Sequence, residues 1–127
     1  MKVIIAGSRD YCPTYDELDA IVAASNFTVT TLISGCCPWG VDYISWRWAF
    51  SRYIERSGFP AQWTKHGRAG GPIRNRQMAV AADALILIWD GKSPGSKSMR
   101  TEMLNLAKPV FEVTITEGKT VYRKATL

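Results

Sequence analysis

The sequence predicts an α/β protein, doubly wound, with a mainly parallel sheet and a hairpin at its C-terminal edge. Three observations predict it. Short apolar, β-branched runs alternate along the chain with stretches of helical spacing. The most apolar run, residues 84–89 (Ala-Leu-Ile-Leu-Ile-Trp), shows no alternation, as expected of a strand buried on both faces of a parallel sheet. No internal repeat, linker or shift in composition divides the 127 residues, so residues 1–127 are expected to form a single domain.

Residues 2–6 form the first buried strand, ending at Gly7. Thr14 is placed to N-cap a helix, with Glu17 completing a capping box and Leu18, Ile21 and Val22 at helical spacing. Residues 29–34 are a second strand stopping at Gly35. Val41, Ile44 and Trp48 mark a helix over about 40–56, ended by Gly58. Residues 60–65 read as a short third strand carrying Trp63, which with Trp46 and Trp48 is assigned to the core. Pro72 suits the first turn of a helix running to about Ala82. After the strand at 84–89, Met99, Met103, Leu106 and Ala107 define the last helix. Residues 109–115 and 119–124 are two strands around the turn Thr116-Glu117-Gly118.

Composition removes whole classes of function. With 46% hydrophobic residues the chain can bury a core, so disorder is excluded as the main state. The longest apolar runs fall far short of the ~20 residues of a membrane span, and no membrane partner is expected. Three cysteines, Cys12 and the adjacent Cys36 and Cys37, make no disulfide framework and point to a reducing, cytoplasmic setting. His66 is the sole histidine, and no metal-ligand spacing exists, so neither a metal nor a cofactor is expected. The net charge of +5 favours anionic partners without choosing among them.

In an open parallel sheet, ligands bind beyond the carboxyl ends of the strands, where the strand order reverses. The four segments leaving strands there are 7–10, 34–42, 67–75 and 90–96. Each combines glycine with serine, arginine or a helix start. Glycine admits close backbone approach, helix starts offer free N–H groups, and arginine offers a fork to phosphate. Any one such loop is equally a plain turn; four on one rim indicate a binding site. From the first loop Gly7, Ser8 and Arg9 are candidate ligand contacts, and from the second Ser34, Gly35, Cys36, Trp39, Gly40 and Asp42. Arg74 and Asn75 follow at the start of a helix, where removing Arg74 is expected to weaken binding and leave folding nearly unchanged. The last loop adds Asp90, Ser93, Gly95 and Ser96. Asp42 is as readily a helix cap as a hydroxyl acceptor, and Asp90 either contacts ligand or closes its strand.

Gly7-Ser8-Arg9, then Ser34-Gly35 with Gly40-Val41-Asp42, resemble the SLOG superfamily, a Rossmann-like group that includes the LOG phosphoribohydrolases and the DNA-processing protein. Pro60-Ala61-Gln62-Trp63, Gly67 through Met78, Ala82 through Ile86, and Trp89 through Ser93 with Gly95-Ser96 are similar to its YspA-like branch. The resemblance spans roughly residues 2–113. It implies a nucleotide-derived ligand on the loop rim. Cys36 stands where the family usually has a second glycine, and Pro38-Trp39 where it has an arginine or similar residue. Trp39 at the mouth either stacks on a base or caps the pocket. Met99 falls on the position of the LOG glutamate, with Glu102 one turn further along.

Three functions follow. The first is binding of a nucleotide-derived anion, ADP-ribose-like or of the cyclic-nucleotide type, as a sensor or sequestering protein with no turnover and no catalytic residue. The second is a LOG-like phosphoribohydrolase with a relocated acid, Glu102 or Asp42. The third, carried only by charge and arginines, is a single-stranded nucleic-acid binder. Ile44, Trp46, Trp48, Phe50 and Tyr53 cover more than one face of the second helix, which predicts a homodimer or larger assembly through it.

Overall fold

The computed structural model describes residues 1–125. The elements in chain order are β1 (Lys2–Gly7), α1 (Tyr15–Ser25), β2 (Thr31–Ser34), α2 (Gly40–Ser51), β3 (Glu55–Gly58), α3 (Trp63–His66), a 3-10 turn (Gly67–Ala69), α4 (Gly70–Ala81), β4 (Ala84–Trp89), α5 (Pro94–Asn105), β5 (Val110–Thr116) and β6 (Lys119–Ala125). One six-stranded sheet runs in the order β3-β2-β1-β4-β5-β6. Its first five strands are parallel and β6 returns antiparallel to β5, giving a Rossmann-like arrangement whose order reverses between β1 and β4.

Two cores follow from strand alternation. Val3, Ile5, Ile86, Ile88 and Val113 meet Leu18 and Ile21 of α1 and Val41 and Trp48 of α2 on one face. Ile4, Leu85, Leu87 and Val110 meet Met78 of α4 and Met99 and Met103 of α5 on the other. All six residues of β4 are buried, because helices cover both its faces. The α1 start carries the expected capping box between Thr14 and Glu17. Tyr11 donates to Glu17 at 2.7 Å, and burial beside that carboxylate pushes the Tyr11 hydroxyl up to about 12.

Three elements depart from the sequence reading. The third strand is residues 55–58, not 60–65, and all four of its residues are exposed. It lies at the sheet edge, paired only to β2, so no apolar run is required of it. Trp63 instead opens α3 and is 52% exposed. Its ring packs closely on the Gly-Gly start of α4, 3.1 Å from where a Cβ on either glycine would stand. The helix expected to reach 56 stops at Ser51, with Tyr53 in the left-handed region at φ 58°. Leu106 and Ala107 lie past the end of α5, and beyond them Lys108 donates from Nζ to the carbonyls of Ala79 (2.7 Å), Val80 (3.1 Å) and Ala82 (2.7 Å), closing the C-terminus of α4. Of the tryptophans assigned to the core, Trp48 is buried with its Nε1 donating to Asp19 at 2.8 Å. Trp46 is half-buried and faces the Arg56 guanidinium at 4.5 Å.

At the other edge, Glu112 on β5 is 1% exposed and accepts from Arg100 of α5 at 2.5 Å and Arg123 of β6 at 2.7 Å. These two ion pairs fasten the terminal hairpin to the helix layer. No helix among the described residues is long and apolar enough to cross a membrane.

Candidate functional site

An open cleft of about 530 Å³ lies over the carboxyl end of β1, between the loops that leave β2 and β4 for the starts of α2 and α5, with α4 as its back wall. That is the point where the strand order reverses, and the volume is within the usual range for small-molecule sites. Its floor is made by β1. Gly7 is obligatory there, because a Cβ would stand 1.8 Å from the Ile88 carbonyl oxygen of β4. Ser8 continues the pairing, its N–H donating to that same oxygen at 3.0 Å, and its own carbonyl accepts from Val41 N–H at 3.1 Å. The first loop is thereby fixed to the start of α2. Gly40 makes this contact possible. Its φ is +72°, and a Cβ there would meet the Ser8 and Arg9 backbone within 2.4–2.5 Å.

Ten of the fifteen expected contacts line the cleft: Gly7, Ser8, Arg9, Gly35, Asp42, Arg74, Asn75, Ser93, Gly95 and Ser96. Five do not. Ser34 is buried and its hydroxyl accepts from Cys36 N–H at 3.1 Å. Cys36 takes φ 61°, and its Sγ stands 2.6 Å from where Gly58 would carry a Cβ, turned onto β3. A cysteine at such a backbone angle is strained, which accords with the glycine expected there from the resemblance. Trp39 is 58% exposed outside the lining. Gly40 supports the loop from behind. Asp90 spends one carboxylate oxygen on Lys92 N–H (2.8 Å), Ser93 N–H (2.9 Å) and the Ser93 hydroxyl (3.0 Å). These donors hold its carboxyl below the usual range and shape the turn that leads into α5.

The lining residues not named as contacts from the sequence are Ala6, Asp10, Cys37, Met78, Pro94 and Met99, of which Asp10, Cys37 and Pro94 fall within the four rim segments. Met78 was within reach of sequence reasoning, since it follows Arg74 by four helical positions and so shares its face. Met99, 2% exposed, also lines the cleft. Glu102 does not; it pairs with Arg76 at 3.5 Å.

The polar groups around the cleft have distinct loads. Neither α2 nor α5 has a side-chain hydrogen bond from its N-cap residue; α2 carries Asp42 in its first turn and gives Val41 N–H to the Ser8 carbonyl, whereas α5 has no acid in its first turn. Ser8 is 5% exposed and its hydroxyl has no hydrogen-bond partner. Asn75 donates to Ser98 Oγ (3.2 Å) and the Gly95 carbonyl (3.4 Å), tying α4 to α5. Burial pushes the Asp42 carboxyl above its ordinary range, and the Cys37 N–H with Arg74 and Arg9 pulls it only part of the way back.

Arg74 donates from Nη1 to the carbonyls of Gly35 (2.6 Å) and Phe59 (3.5 Å), and from Nε to Asn75 Oδ1 (2.9 Å). The guanidinium therefore holds the second loop against α4, contrary to the expectation that folding ignores it. Arg74→Ala is expected to lower unfolding free energy by about 1–2 kcal/mol, by orphaning partly buried carbonyls, as well as weakening ligand binding. Urea melts check this, and a midpoint equal to wild type rejects the structural role.

Asp42→Asn is expected to act in the opposite sense. A folded-state carboxyl above its unfolded value binds more protons in the native state, so stability declines as pH rises through the window between the two values. The amide keeps an acceptor for Cys37 N–H and removes the buried charge. Its melting temperature at pH 7 should exceed wild type, and the difference should vanish towards pH 3. A destabilised amide variant at pH 7 contradicts it.

No curated protein matches the chain. A family model, described as YspA, cpYpsA-related SLOG family, matches residues 1–66, a segment that holds Gly7 through Arg9 and Gly35 through Asp42 and so the first two walls of the cleft. With just over half of its 127 residues matched, the chain belongs to the YspA, cpYpsA-related SLOG family.

Proposed function

We propose that the cleft binds a nucleotide-derived anion and releases it unaltered, as a sensor or a sequestering protein. The observation that carries this reading is the unpartnered, buried Ser8 hydroxyl on a floor beside the start of α5, which has neither a side-chain cap nor an acid in its first turn. Such an arrangement offers donors and partial positive charge to an anion. SLOG membership supports a nucleotide-related ligand in general. Absence of turnover is supported by Met99, which lines the cleft where the resemblance would place a glutamate and can neither donate a proton nor steady positive charge. Glu102 faces Arg76 instead.

Calorimetry with AMP, ADP-ribose and cyclic AMP, followed by chromatography of the recovered nucleotide, tests both parts. The expected result is saturable binding of at least one, returned intact. A ligand at a hundred times its Kd should add about 2.7 kcal/mol to stability. No binding by any of the three sinks the reading.

One observation favours an enzyme as second reading. Asp42 is a carboxyl in the cleft that burial tunes upward, as general acids are tuned. Release of free base abolished by Asp42→Asn, and unaffected by Glu102→Gln, would promote it. Homodimer formation through α2 is part of the proposal as well. It is supported by Phe50, 68% exposed, and Tyr53, 98% exposed and held at a backbone angle that ordinarily selects glycine. Light scattering that gives a monomer mass at high concentration rejects it.

A further inference from the structure

The cleft proposed to hold an anion is not lined by cations alone. Arg9 and Arg74 line it, and so do Asp10 and Asp42; none of the four joins an ion pair among the described residues. Asp42 stands in the first turn of α2, where its Oδ2 accepts from Cys37 N–H at 3.2 Å. Its Oδ1 has no hydrogen-bond partner and is not sealed in by the protein. Arg74 lies across Gly35 from it. A Cβ on that glycine would stand 3.1 Å from Asp42 Oδ2 and 2.7 Å from Arg74 Nη1, so carboxylate and guanidinium flank one bare backbone position of the lining. Arg74 commits Nε and Nη1 to the protein and leaves Nη2 uncommitted.

A carboxylate in that place repels a phosphate, and burial makes its charge unfavourable in the empty protein. A ligand group that donates to it offsets both effects. To suit the two heads together, the ligand must donate to Asp42 and accept from Arg74. Hydroxyls do both, whereas an ionised phosphate only accepts and an ammonium only donates. We propose that Asp42 and Arg74 form the sugar end of the site, receiving ribose hydroxyls that donate to Asp42 Oδ1 and accept from Arg74 Nη2, while the phosphate lies towards Ser8 and the start of α5. This rests on the nucleotide reading of the cleft and narrows it to ribonucleotides held in one orientation.

The probes are AMP, ADP-ribose and cyclic AMP, each titrated beside counterparts that lack one ribose hydroxyl. Every nucleotide of this set that binds wild type is expected to bind at least about 10-fold tighter than a deoxy counterpart, the loss that follows from leaving a charged group without its hydrogen bond. Asp42→Asn keeps an acceptor for Cys37 N–H and removes the charge. It should lower that ratio several-fold by weakening the intact nucleotide. A variant that only loosened the loop would weaken both members of a pair alike and leave the ratio where it was. Equal affinity of wild type for each binding nucleotide and all its deoxy counterparts overturns the sugar end and leaves the nucleotide reading standing; this comparison needs no variant. A wild-type preference that Asp42→Asn does not reduce overturns the assignment to Asp42. Wild-type protein that binds none of the three overturns the nucleotide reading and the sugar end with it.

Discussion

Gly7→Ala is expected to cost at least about 3 kcal/mol and to abolish ligand binding. The added carbon would stand 1.8 Å from the Ile88 carbonyl oxygen and 3.0 Å from a Val41 methyl. The first obstacle is backbone in the central β1–β4 pair, which cannot swing aside as a side chain can. Relief requires parting the two strands at the cleft floor, and overpacking of this kind reaches the upper end of measured single-residue effects. Urea unfolding and calorimetry on the same preparation check it. An alanine variant that unfolds at the wild-type midpoint refutes the packing account. The result bears on function too, since the glycine is needed by the protein chain before any ligand arrives.

Arg100→Met carries the second large effect, about 3–5 kcal/mol, the range for breaking a buried ion pair by removing one partner. Glu112 is 1% exposed and keeps only Arg123 once Arg100 is gone. Arg123 is 62% exposed, so its own contribution is weakened by solvent. The informative comparison is the double variant Arg100→Met with Glu112→Leu. Replacing both members of a buried pair by apolar groups is often neutral or stabilising, so the double variant should recover most of the loss. Additive destabilisation in the double variant would show that each residue acts through packing alone.

The sequence disclosed the parallel sheet because its central strands are buried on both faces and have little freedom of composition. Residues 84–89 could hardly be anything else. The third strand escaped because an edge strand with polar residues has no signature distinguishing it from a loop, whereas residues 60–65, with Trp63, imitate one. In the cleft, loop positions were legible and their reasons were not. The glycines suggested close approach of a ligand. The chain itself also needs them: Gly7 accommodates the β4 carbonyl, Gly40 the backbone of Ser8 and Arg9, and Gly35 the Arg74 guanidinium, whose Nη1 is 2.7 Å from where a Cβ would stand. Both readings of Asp90 were open in the sequence, and its hydrogen bonds to Lys92 and Ser93 depend on a fold of three residues that composition does not reveal. Lys108 was invisible for a related reason: its three carbonyl partners are 26–29 residues distant.

The strand order has a consequence for how the chain is made. β1 lies between β2 and β4, so one long edge of the first strand stays open until residues 84–89 have left the ribosome. Val3, Ile4 and Ile5, each wholly buried at the end, wait through that interval. Closing them against β4 spans about eighty residues of intervening chain, the kind of distant pairing that slows folding and leaves nascent segments adherent. The first sixty-six residues, although they carry the family match, lack the strand that closes the second edge of β1. The floor of the cleft is complete only once β4 has paired with β1.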